Sequence, residues 1–118
     1  MTDLARVQAG LAWGIIALGF IHALATPWFV PESTERALWF ASGGGAFVLV
    51  GVLNLIAVAR NDTTLITLSR TANVVTAIFV VALVFAPPTG TPELAAALLI
   101  IPATVVSLLR SGGAPRPS

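Results

Sequence analysis

The sequence predicts an all-α integral membrane protein folded as an up-down four-helix bundle, and three observations carry that reading. Of 118 residues, 57% are hydrophobic and only 9% are charged. Soluble domains carry roughly a quarter charged residues, because they must cover themselves with polar surface. Mean hydropathy is +0.95. The apolar residues also fall into four continuous runs, whereas membrane β-strands read as alternating segments of about ten residues. The length allows one domain, expected over residues 1–110 with a frayed tail at 111–118, where Ser, Gly and Pro dominate.

The spans follow in order as residues 7–26, 37–59, 66–86 and 93–109. At about 1.5 Å of rise per residue, crossing a hydrocarbon core of about 30 Å takes roughly 17–25 residues. The first three runs satisfy this. The fourth does so with Pro92 and Arg110 in the headgroups. Pro27 closes the first span, and Pro87 with Pro88 closes the third. Ser33 or Thr34 is placed to cap the second helix, and Asn61 or Asp62 the third. Thr91-Pro92-Glu93 reads as N-cap, first-turn proline and acid facing the helix dipole. Pro102 removes a donor inside the fourth span, a break that can open a cavity. Short connections make successive helices antiparallel neighbours.

Arginine placement sets the orientation. Arg6, Arg60, Arg70, Arg110 and Arg116 fall on one side and Arg36 alone on the other, so both termini are expected in the cytoplasm. Trp28, Phe29, Trp39 and Phe40 form the expected outer aromatic belt. A rival reading takes Ala23-Leu24-Ala25 as a signal-peptidase site. The first apolar run is longer than a signal core, and Asp3 weakens its positive start.

Small residues mark the packing faces. Gly10 and Gly14 make a GxxxG pair on the first helix, extended by Gly19 and Ala23. Gly44, Phe47, Gly51 and Asn54 follow a 3-4-3 spacing on the second, a seam suited to partner helices within the chain or in another copy.

Ionisable and polar residues inside lipid are expensive, which makes each a candidate for function. Near the outer surface stand His22, Glu32, Glu35, Arg36, Ser42 and Glu93. His22 with Glu35 or Glu93 could act as base and acid, or hold the polar head of a lipophilic ligand. The alternative is a histidine bonded to backbone or water beside two helix-start acids. Toward the inner surface stand Gln8, Asn54, Ser69, Arg70, Asn73 and Thr76. Arg70 either snorkels to the headgroups or turns inward with Asn54 and Asn73 to meet an anion. Asn54 and Asn73 are better suited to bonding helix to helix, a common use of Asn in membrane bundles.

Gly19-Phe20-Ile21-His22, Thr26-Pro27, the run from Ala37 through Gly45 and Val52-Leu53-Asn54-Leu55 resemble a group of small four-span bacterial membrane proteins without an assigned chemistry. A looser similarity extends to DoxX-like four-helix membrane proteins. The resemblance covers about the first half of the chain. It implies the bundle and a bacterial inner (cytoplasmic) membrane, and it picks out His22, Trp39 and Asn54 without giving them roles. Small multidrug-resistance transporters are similar in size, but their first-helix glutamate has no counterpart here. The arginine motif of small fluoride channels is likewise missing. Zero cysteines exclude disulfide, thiolate-metal and thiol-redox chemistry, and one histidine is too few for ordinary haem ligation. No cofactor or metal is implied. The scattered arginines form no basic stripe for nucleic acid. The expected function is a non-enzymatic ligand-binding or accessory membrane subunit. An enzyme built on His22 and a transporter built on Arg70, Asn73 and Asn54 are the alternatives. The expected partners are the lipid bilayer and the helix faces of another copy or of another membrane protein.

Overall fold

The computed structural model describes residues 1–86 and 90–110. Among them every regular element is helical: α1 (Asp3–Leu24), α2 (Thr26–Phe29), α3 (Thr34–Arg60), α4 (Thr63–Phe85) and α5 (Thr91–Leu109). Four of these, α1, α3, α4 and α5, are long and apolar enough to cross a membrane. The Pro87-Pro88 stop, the 111–118 tail and Arg116 lie outside the described residues.

Each long helix starts before its apolar run because a polar turn precedes it, and hydropathy does not count that turn. The Thr2 side chain accepts the Ala5 N–H at 3.2 Å, Ser33 Oγ accepts Arg36 N–H at 3.4 Å and Asp62 Oδ1 accepts Leu65 N–H at 3.1 Å. Such caps satisfy first-turn donors that have no partner inside the helix. Asn61, the other candidate cap, ends α3 instead. It sits in the left-handed region at φ 48° and donates its N–H to Ala57 O, a conformation Asn tolerates better than most residues.

Three local expectations are corrected. Gly90, not Thr91, is the N-cap of α5. Its N–H donates to Glu93 Oε2 at 2.9 Å, which draws Thr91 into the helix. The connection after the first span holds the short helix α2, since proline is tolerated in a first helical turn. Pro102 does not break α5, which continues through it.

The long helices form a four-sided arrangement. The backbones of α1 and α4 each lie against α3 and α5, and across the α1–α4 diagonal Gln8 Nε2 reaches Ser69 Oγ at 3.5 Å. The most extensive contact is α1 on α3, and glycine is the reason. A Cβ added at Gly19 would lie 2.5 Å from Gly44 O, and one at Gly44 would lie 2.5 Å from Gly19 O. Gly51 likewise faces Ile16 Cγ1 at 2.5 Å and Ala12 O at 2.8 Å. Gly10 does not belong to this seam: it is exposed, and a Cβ added there would meet nothing within 4 Å. Gly14 meets only the Leu99 side chain, on α5, at 3.1 Å. The GxxxG pair on the first helix therefore does not pack as a unit: Gly14 meets α5, and nothing lies opposite Gly10.

The apolar core takes Ile15 from α1, Phe47 from α3, Val80 from α4 and Ala96, Ile100 and Ala103 from α5. Around it the usual polarity is inverted. Leu49 and Leu98 are 71% and 75% exposed, whereas Asn54, Ser69 and Asn73 are 0% exposed.

Candidate functional site

The two ends of the bundle carry different chemistry. At one end, polar residues from all four long helices bond to one another. Asn54 Nδ2 donates to Asn73 Oδ1 at 2.8 Å, and Asn73 Nδ2 returns a bond to Asn54 Oδ1 at 2.9 Å. Ser69 Oγ and Gln8 Nε2 also donate to Asn54 Oδ1, each at 2.9 Å. Gln8 Oε1 accepts Arg110 Nη1 at 3.0 Å. Arg110 Nη2 reaches Ala57 O at 3.3 Å and Asn61 Oδ1 at 2.8 Å. Arg70 Nε donates to Ser107 O at 2.8 Å, and Arg70 Nη2 donates to Arg110 O. Thr104 Oγ1 bonds Asn73 O at 3.1 Å. No buried side-chain polar atom among the described residues lacks a partner. Burial, and then the neighbouring Arg70 charge, lower the Arg110 pKa from its ordinary value.

This network bears on both roles open to the inner polar layer. Asn54 and Asn73 bond each other across α3 and α4, as interhelical bonds would. Arg70 donates through Nε and Nη2 to carbonyls at the end of α5. Arg110, expected at the headgroups, is buried at 6% exposure. Its position at a helix end conceals this. The sequence carries one signal, Gln8 at the matching depth of α1, but which helices are neighbours decides whether the two meet.

At the other end lies a cavity of about 390 Å³. His22 of α1 reaches it, Trp39, Phe40, Gly43, Ala46 and Phe47 of α3 form one wall, and Phe79, Val80 and Leu83 of α4 another. Pro92, Glu93 and Ala96 of α5 close it, with Ser42 at the α3 side. The imidazole of His22 stacks on Phe40 with ring centroids 3.8 Å apart and 12° between planes. Phe47 meets it edge-on at 5.8 Å. Gly43 lies beside the ring, where a Cβ would make ordinary contact with His22 Nε2 at 3.5 Å. Phe40 thus turns inward to His22 and also neighbours Phe29, ring to ring at 5.8 Å. Of the four aromatics expected in the outer belt, Phe40 is partly buried, whereas Trp28 and Trp39 are 79% and 74% exposed.

Of the outer candidates, the fold brings His22, Trp39, Ser42 and Glu93 to one cavity. Glu35 is exposed in the first turn of α3 and is not among the lining residues. Among the described residues His22 forms no ion pair with a carboxylate; the ion pair present is Arg6–Asp3, at 4.0 Å. Sequence reasoning missed Phe40, Gly43 and Phe47 as site residues, although their 3-4 spacing places them on one face of α3. The described residues contain no cluster of three or more metal-ligating side chains. Compared with protein-family models, curated proteins and solved structures, the chain matches none.

Proposed function

We propose that this chain spans a membrane as an up-down four-helix bundle, both termini on the arginine-rich side, and binds a small lipophilic molecule in the His22 cavity. The inverted polarity supports the first part. Isobutyl side chains face outward and amides face inward, an arrangement that suits a hydrocarbon solvent and is costly in water. The bacterial inner membrane is the location implied by the resemblance of the first half of the chain.

The cavity carries the second part. Its walls are aromatic and aliphatic, with an imidazole, a carboxylate and one hydroxyl as polar handles. Small-molecule sites have this composition, mostly apolar with a few placed polar groups. A binding role fits better than catalysis, because the imidazole is stacked on a phenyl ring with no carboxylate bonded to it, and Glu93 Oε2 is engaged by Gly90 N–H. A general base would need its orienting partner within hydrogen-bond reach.

The test uses Trp39, the one tryptophan of three that lines the cavity. In a Trp13→Phe/Trp28→Phe background, a bromine-labelled long-chain alcohol should quench Trp39 fluorescence saturably. Filling the cavity by Ala46→Phe should remove the saturable part. Quenching that rises linearly in both proteins, as for simple partitioning into the micelle, would refute the binding site.

A further inference from the structure

The opposite end of the bundle carries an imbalance of charge that the helix network does not resolve. Arg70 and Arg110 lie together there, Arg70 Nη2 donating to the Arg110 carbonyl. The chain has five acidic side chains, and none of them pairs with Arg70 or Arg110 among the described residues. Asp3 pairs with Arg6 at 4.0 Å, Asp62 caps α4 and Glu93 caps α5. Glu32 and Glu35 flank the start of α3, whose other end meets Arg110.

What faces the two guanidiniums is carbonyl oxygen: Ala57 O near the end of α3, and Ser107 O and Arg110 O at the end of α5. Each helix C-terminus supplies about half a negative charge. Two such ends against two guanidiniums leave about one positive charge unmatched. Arg70 Nη1 and Arg110 Nε hold no hydrogen bond within the described residues, and Arg70 is only half-buried. Arg70 keeps Nη1 and the second N–H of Nη2 for an outside acceptor, and such guanidinium donors match phosphate oxygens. Arg110, at 6% exposure with Nη1 and Nη2 bonded, adds its charge from behind.

We propose that Arg70, backed by the charge of the buried Arg110, binds one anionic phosphate group, either in the headgroup of an acidic phospholipid or as free phosphate. The neutral network around them holds the pair in place, since Gln8 and Asn61 fix Arg110 while the α5 terminus fixes Arg70. This site is separate from the cavity and stands on charge alone, so either can fail without the other.

The full chain in detergent tests it by native mass spectrometry and thermal melting. Phosphatidylglycerol should be retained roughly tenfold over phosphatidylcholine, which carries a compensated phosphate, and raised salt should strip it. Arg70→Gln should abolish the preference and Arg70→Lys should retain part of it. If phosphatidylglycerol binds and inorganic phosphate neither raises the melting temperature nor competes, the source is lipid. If inorganic phosphate does both, the site takes the free ion. Equal retention of the two lipids with no effect of phosphate would overturn the proposal. So would salt-independent binding, or a folded Arg70→Gln protein that keeps the preference. Because Arg70 also bonds the end of α5, Arg70→Gln could unfold the chain, in which case the lipid comparison and salt series on the unaltered protein decide.

Discussion

The two ends of this bundle solve opposite problems with the same four helices. At the Asn54 end every buried polar side chain among the described residues has a partner, and Asn54 and Asn73 bond each other. At the His22 end the helices leave about 390 Å³ between aromatic walls, and the polar atoms there are few. A completed hydrogen-bond network fixes which helices are neighbours, because any other pairing would leave amides unbonded away from water. An open cavity contributes little to that choice and is free to serve a ligand. Depth along one helix, α3, therefore separates structural residues from candidate functional ones: Asn54 and Gly51 on one side, Gly43 and Phe40 on the other.

The contrast is broken most severely at the glycine seam between the ends. Gly51→Leu should destabilise the bundle by about 3 kcal/mol or more, since the new side chain must enter space held by Ile16 and the Ala12 carbonyl. Gly10→Leu should be tolerated, and equal losses in a detergent melting assay would remove the assigned seam. Next in size is Asn54→Leu, which leaves Asn73, Gln8 and Ser69 without their shared acceptor and should cost about 1–3 kcal/mol. The double change Asn54→Leu/Asn73→Leu should cost less than the sum of the two single changes. Additive losses would mean the amide pair is not coupled.

At the cavity end the expected effects shift from stability to binding. Ala46→Phe should move stability by no more than about 0.5 kcal/mol while reducing retention of the long-chain alcohol roughly tenfold. A large loss of stability there would show that the cavity end is as tightly constrained as the other. The smallest effect belongs to Glu35→Gln, which should leave both melting and alcohol binding unchanged because Glu35 does not line the cavity. A measurable loss of binding would return Glu35 to the site.

Much of the fold is legible in the amino-acid sequence. Four apolar runs correspond to four long helices, and Gly44, Phe47, Gly51 and Asn54, which read as one packing face, are all buried. Capping residues are legible to within a residue or two, because they act through bonds to neighbours in sequence. Sequence reasoning fails where distant parts of the chain decide. Gly10 and Gly14 look alike in sequence, but only one faces a partner. Arg110 reads as a headgroup residue until Gln8 and Asn61 are seen beside it. His22 stands out as the lone ionisable group in the apolar run of α1, whereas its stacking on Phe40 depends on α1 and α3 meeting at Gly19 and Gly44.

The sequence by itself determined that the chain is helical, how many long helices it has and which residues are costly to place in an apolar surrounding. Those properties depend on backbone hydrogen bonding and side-chain transfer, both of which act residue by residue. Only the tertiary structure decided which of the costly residues satisfy one another and which are left beside open space. That outcome depends on the rotation and depth of each helix relative to its neighbours, and no local pattern encodes it.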